Sequence, residues 1–216
     1  MNTILAIETS VPSASVAILQ KGEITQHDFE SHRQQNQLLF TPLEAILTTL
    51  EGLTIDTILI GTGPGSYSGS RIAIAAAQGL ATVYQSKLAG VCSFFAVPDR
   101  DLASSVAVGD ARRGSYFHYD TALSQHPVKP VLQDAEDFVT TMATYSDKSL
   151  FTFETKNELP LENVSIVRPT ASALIHYWAT LSPEQQEALM ALPLEPLYLR
   201  APFITKSTKN HPLLKK

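Results

Sequence analysis

Between an apolar stretch, Thr57 to Thr62, and an alanine-rich one, Ser70 to Tyr84, the chain reads Gly63-Pro64-Gly65-Ser66-Tyr67-Ser68-Gly69. Strand, glycine turn, helix and a second apolar strand, Leu88 to Cys92, form a parallel crossover, which is stable inside a sheet whose faces are covered. Ahead of it, Thr3 to Glu8, Ala14 to Gln20 and Glu23 to Glu30 are separated by short turns and predict an antiparallel meander. Leu38, Leu39, Leu43, Ile46, Leu47 and Leu50 share one helical face over Asn36 to Leu50. Pro42 there either delays the regular helix to about Thr41 or kinks it. One mixed sheet with flanking helices follows, and this order of elements is that of the ribonuclease H-like and actin-like α/β folds.

At 216 residues, the chain is long for one core and short for two, and two lobes are expected. Pro98-Asp99-Arg100-Asp101 is a polar, proline-marked stretch that suits a boundary. The expected division is an N-terminal lobe over 1–98, a reduced C-terminal lobe over 99–203 and a basic tail over 204–216. In the second part, strands Ser105 to Gly109 and Ser115 to Tyr119 flank Asp110-Ala111-Arg112-Arg113-Gly114. Asp134 suits the cap of a helix reaching Tyr145, strands are expected near Leu150 and Ser165, and helices over Thr170 to Leu181 and Pro183 to Leu192. The sequence shows no internal repeat.

Apolar residues make up 44% and charged residues 17%, as in ordinary globular proteins. A net charge of -5 leaves no domain-wide basic field for autonomous binding to nucleic acid. A lone cysteine, Cys92, gives no disulfide framework and no thiol cluster for zinc. With no signal-peptide pattern and no apolar run of membrane-spanning length, a cytoplasmic protein without a membrane partner is expected.

The Gly63 to Gly69 loop can aim backbone amides at an anion, and as readily forms a tight turn capped by a serine. No lysine follows its last glycine, so it is not a Walker loop, and its central tyrosine excludes a nucleophile elbow. A cation in the first turn of a helix opposes the helix dipole, so Arg71 is expected to have an anionic partner: a carboxylate, a phosphate or another chain. Glu8-Thr9-Ser10 puts a carboxylate and two hydroxyls in a turn, as at a phosphate or magnesium site, and turn chemistry explains it equally well. The candidate anion or nucleotide set is therefore Glu8, Thr9, Ser10, Gly63, Gly65, Ser66 and Arg71. The six histidines form no His-x-x-x-His pair, so no metal site is expected, and the absence of glycine after Gly114 leaves the second part without a phosphate loop.

Four ordered segments resemble the TsaB family, formerly YeaZ. They are Ile4-Leu5-Ala6-Ile7-Glu8-Thr9-Ser10 with Ser15-Val16-Ala17, Gly63 through Ile72, Asp110-Ala111-Arg112-Arg113-Gly114, and Pro196-Leu197-Tyr198-Leu199-Arg200. The resemblance implies an actin-like, two-lobed accessory subunit that pairs with a catalytic paralogue, TsaD. With the ATPase TsaE, that pair supports threonylcarbamoyl transfer to adenosine 37 of certain tRNAs. It implies a homodimer when the partner is absent, and tRNA contact only through the complex. The family usually has aspartate at Glu8, phenylalanine-threonine at Tyr67-Ser68 and a histidine where Gln35 stands. No catalytic residue and no required cofactor are expected, and any ATP or ADP binding is expected to be weak or to need the partner. A lone-acting kinase of the same fold, or a protease-like enzyme, is the rival reading. Since small side chains permit close helix approach, Ala73, Ala76, Ala77 and Gly79 are expected either to pack on their own sheet or to form a docking surface with Leu39, Leu43 and Ile46.

Overall fold

The computed structural model describes residues 2–30, 35–50, 54–156 and 158–200. The basic segment 204–216 and the histidines His32 and His211 lie outside the described residues. The chain forms two five-stranded mixed sheets. In the first, β1 (Ile4–Glu8), β2 (Ser13–Gln20) and β3 (Glu23–Glu30) are an antiparallel meander. Beyond β1, β4 (Thr57–Gly61) and β5 (Lys87–Val91) add in parallel, for the order β3-β2-β1-β4-β5.

Both faces of this sheet are covered, which explains why β1 and β4 are buried without interruption and mostly apolar. Successive side chains point to opposite faces. Leu5, Ile7, Val16, Ile18, Ile58 and Ile60 pack under α1 (Gln35–Leu47) and α2 (Tyr67–Tyr84). Ile4, Ala6, Ala17 and Leu59 pack on the other side with Leu174, Tyr177 and Trp178 of α4 (Ala171–Thr180). The small Ala6, Ala17 and Ala89 there leave room for the large side chains of α4. Helix α1 runs through Pro42, whose missing N–H leaves the Leu38 carbonyl without its helical donor.

The second sheet repeats the first one's topology. Strands β6 (Ser105–Asp110), β7 (Ser115–Asp120) and β8 (Val131–Asp134) are a meander, and β9 (Ser149–Thr152) and β10 (Ser165–Ile166) add in parallel, for the order β10-β9-β6-β7-β8. Helix α3 (Ala135–Ala143) occupies the place of α1, with Asp134 accepting from the Asp137 N–H at 3.0 Å as its cap. The copy is incomplete, because the described residues between β9 and β10 form neither helix nor strand. The repeat, absent from the sequence pattern, is thus one of strand order. Helix α5 (Pro183–Ala191), opened by a capping box on Ser182, packs back on β5 of the first sheet. The sheets meet over Phe94 and Phe95. Phe94 stacks on Phe117 and Tyr119 at 5.8 Å, and Phe95 on Tyr177 at 4.7 Å. No described helix is long and apolar enough to cross a membrane.

The β1–β2 turn and the glycine loop approach each other backbone to backbone. Gly65 has φ of +156° and a Cβ there would overlap the Ser10 carbonyl, while a Cβ on Gly69 would overlap that of Thr9. Replacing Gly69 with alanine is expected to destabilise the chain by about 3 kcal/mol in urea unfolding, because backbone rather than a mobile side chain must yield. A change below about 0.5 kcal/mol would mean that the two turns are not held this closely.

Candidate functional site

Helix α2 starts at Tyr67, inside the glycine motif, three residues before the expected Ser70. Ser66 is its cap and accepts from the Gly69 N–H at 3.1 Å. Arg71 therefore sits in the second turn, where the dipole argument for an anionic partner loses its force. Its partners are aromatic. The guanidinium carbon lies 4.0 Å from the centre of the Tyr67 ring, and Nε donates to the Tyr198 hydroxyl at 2.9 Å. That hydroxyl holds the guanidinium pKa above its ordinary value. Tyr198 belongs to the late Pro196–Arg200 segment, so Arg71 links two of the sequence's distant motifs.

Glu8 is fully buried at the end of β1. One carboxylate oxygen accepts from the Ser10 N–H and the other from Ser93 Oγ, both at 2.7 Å. Ser93 Oγ in turn accepts from the Gly63 N–H at 3.1 Å. Burial pushes the Glu8 pKa up, and the hydrogen bonds from Ser10, Ser93 and Thr9 pull it back only in part. Thr9 is buried too, its hydroxyl donating to the Gly69 carbonyl at 2.8 Å. Beside them Cys92 donates to the Gly63 carbonyl at 3.2 Å, and burial raises its thiol pKa so that it stays protonated.

A cleft of about 950 Å³ opens above this layer. Ser10, Gly65 and Ser66 line it, together with the Asp110–Arg113 turn and Pro196 to Arg200. Ser10 Oγ is buried with no hydrogen-bond partner among the described residues. Thus the structure divides the expected anion set. Ser10, Gly65 and Ser66 reach the cleft, Arg71 flanks it through its tyrosines, and Glu8, Thr9 and Gly63 lie beneath, engaged with protein groups. The glycines bring α2 onto the β1–β2 turn, and the amides of Gly63, Ser66, Gly69 and Ser70 bond to protein acceptors. Among the described residues no three histidine, cysteine or carboxylate side chains form a metal-ligand group.

The second candidate region is the outer face of α1 and α2. Leu39, Leu43, Ile46, Ala73 and Ala77 are at most 3% exposed, in the core over the first sheet. Leu39, Ile46, Ala73 and Ala77 thus take the alternative of packing on their own sheet, whereas Leu43 also reaches the outer side between the two helices. Ala76 is partly exposed and Gly79 exposed. Around them runs an apolar groove of about 900 Å³, with Phe40 and Leu47 on one wall and Ile72, Leu80 and Val83 on the other. Phe40 is 56% exposed and Val83 75%. Their helical spacing, 40 with 47 and 72, 76, 80, 83, was readable as a second stripe, but the stripe of larger leucines masked it.

The fold, two sheets of one strand order with a buried acidic turn beneath a glycine loop, defines the class: an actin-like α/β protein. The model of the family described as TsaD: tRNA N6-adenosine threonylcarbamoyltransferase matches residues 31–172. A TsaB protein of Haemophilus influenzae, named for tRNA threonylcarbamoyladenosine biosynthesis, is 27% identical over 230 residues, covering 92% of this chain and 93% of that protein. The Escherichia coli TsaB is 35% identical over 121 residues, 53% of this chain and 52% of its own. YeaZ from Pseudomonas aeruginosa superposes with a TM-score of 0.61 at 23% identity, covering 92% of this chain and 100% of that one. A crystal structure described as having similarity to peptidase YeaZ reaches 0.69 at 24% identity, covering 93% and 100%. Both superpositions show the shared fold. The chain belongs to the TsaD family, and the two named relatives above are TsaB proteins.

Two outcomes follow from the burial pattern. Because the Glu8 pKa is raised, its contribution to stability is fully present below the ordinary value of 4.5 and is lost as pH rises through the folded value. Glu8→Gln, whose amide oxygen can accept from the Ser10 N–H while its NH2 donates to Ser93 Oγ, is expected to flatten that fall in urea unfolding across pH and to match the parent or exceed it at neutral pH. Gly79 has open space where a Cβ would stand. Gly79→Ala is therefore expected to stabilise the isolated chain by about 0.5–1 kcal/mol; a loss of stability would place Gly79 in a contact within the chain.

Proposed function

We propose that this chain is the accessory subunit of the machinery that makes threonylcarbamoyladenosine in tRNA, and that it grips a TsaD-type catalytic paralogue through the groove between α1 and α2. The observation that carries the reading is the groove itself. Two helices whose inner sides are packed on the sheet leave Phe40, Leu47, Ile72, Leu80 and Val83 as a contiguous apolar strip, the kind of surface that marks an interaction site. Ala76 and Gly79 at its centre let a facing helix approach closely. A paralogue of the same fold presents a similar helix pair, so one surface serves a heterodimer or, without the partner, an isologous homodimer. The names of the relatives from H. influenzae and E. coli support the pathway. A TsaE-type ATPase belongs to the same reading, as does a cytoplasmic setting.

The accessory role draws support from the glycine loop. Its amides serve the protein's own turn, and Glu8 faces Ser10 and Ser93 rather than the cleft. In this reading the chain needs no cofactor, and ATP or ADP binds weakly or with the partner. The purified chain is expected to turn over ATP far more slowly than the roughly 10 per second of a median enzyme. Turnover near that rate, surviving purification and lost in Glu8→Ala, would revive the lone-enzyme reading.

The deciding experiment uses Ala76→Arg, which sets a charge and bulk in the groove without entering the core. Folding by circular dichroism, mass by light scattering and affinity for the TsaD-type partner are measured separately. A folded monomer that no longer binds the partner is expected. An intact heterodimer overturns the shared surface, even if the homodimer is lost.

A further inference from the structure

The mouth of the cleft beside Gly65 concentrates positive charge in a chain whose net charge is -5. Of the six arginines among the described residues, four stand there. Arg112, Arg113 and Arg200 line the opening, and Arg71 joins Tyr67 to Tyr198 at its edge. All four are exposed. The two tyrosine rings, 51% and 39% exposed, lie 5.3 Å apart at the same edge.

The turn that carries two of these arginines does not favour them. Arg112 and Arg113 have φ of 67° and 59°, left-handed backbone that penalises any residue with a Cβ. Asp110 fastens the turn by accepting from the Arg112 N–H at 2.6 Å and from its guanidinium at 3.0 Å. Glycine would occupy both positions without strain, so turn geometry alone does not account for two arginines.

The interior is poorly suited to a compact polyphosphate. Asp110 and Glu154 line the same opening, and four loop amides are already bonded within the protein. Cations spread along an exposed rim, with two ring faces among them, instead fit an extended polyanion that carries unstacked bases. We infer that this rim is the surface on which the chain contacts RNA. Phosphates lie on Arg112, Arg113 and Arg200, and an unpaired base lies against Tyr67 and Tyr198. The choice of RNA, a tRNA, rests on the function proposed above. The overall negative charge opposes binding by the chain alone and makes the rim one part of a larger assembly's footprint.

The test is titration of tRNA into the assembly with the TsaD-type partner, using Arg112→Gly with Arg113→Gly, at several salt concentrations. Glycine accepts the left-handed backbone, so the turn is kept, and partner affinity is measured in parallel. Two lost phosphate contacts, each adding about 0.7 to the slope of log affinity against log salt, should lower the slope by roughly 1.4. At about 0.15 M salt that is roughly a tenfold weaker complex. Tyr67→Ala should weaken binding with the slope unchanged, since it removes stacking and no charge. Unchanged tRNA affinity and slope in a double variant that still holds its partner overturn the inference. Lost partner affinity with RNA binding intact assigns the arginines to a protein contact and overturns it equally. Should the parent chain bind no TsaD-type partner, the function proposed above fails. The rim is then judged by the same variants on the chain alone at low salt, where equal tRNA binding by parent and double variant rejects it.

Discussion

Four pieces of backbone meet at the Glu8 carboxylate: the end of β1, the turn into β2, the start of the glycine loop and the segment after β5. Ser10 and Ser93 donate to it, and Ser93 also receives the Gly63 N–H, so a buried carboxyl group is held by groups that would otherwise need partners of their own. A buried carboxylate with such bonds specifies geometry more than it adds stability. Its pKa rises because burial outweighs the hydrogen bonds. Everything above it, the start of α2 and the floor of the cleft, takes its position from this layer.

From that layer the two candidate surfaces diverge. Helix α2 presents its N-terminal end to the cleft and its outer side to the groove with α1. Arg71 lies between them and ties Tyr67 of α2 to Tyr198 near the end of the described chain. A partner seated in the groove and an RNA strand on the rim would therefore engage the same helix without overlapping. The incomplete second sheet fits this arrangement. Where the first sheet has a glycine loop and α2 between its parallel strands, the described residues between β9 and β10 form no regular element, and Thr152, Phe153 and Glu154 face the cleft instead.

Much of the fold was legible in local pattern. The meander, the crossover and the caps at Asp134, Thr170 and Ser182 follow from turn residues and from side-chain oxygens placed to receive helix N–H groups. Strand β8 was not legible, because Val131-Leu132-Gln133-Asp134 is a short edge strand with both leucine and valine partly in water. The start of α2 was misplaced because glycine and serine usually end helices, and here Gly69 is inside one for the sake of its contact with Thr9. The division of the docking set, with Leu39, Ile46, Ala73 and Ala77 in the core and Ala76 and Gly79 in the groove, was not legible for a related reason. Apolar periodicity marks the side of a helix that is buried but not what buries it, so Leu39, Leu43 and Ile46 read equally as core and as interface.

What the sequence determined by itself was the order of elements, the family resemblance and the lack of a second glycine loop, since each depends on residues adjacent along the chain. Which side of α1 and α2 remains open, which members of the anion set reach the cleft and what Arg71 touches were decided only by tertiary structure. Those depend on contacts between residues far apart in sequence, such as Arg71 with Tyr198 and Glu8 with Ser93. Local periodicity carries no information about such distances, because side-chain direction within an element is set by its backbone, whereas the neighbour it meets is set by how the elements pack.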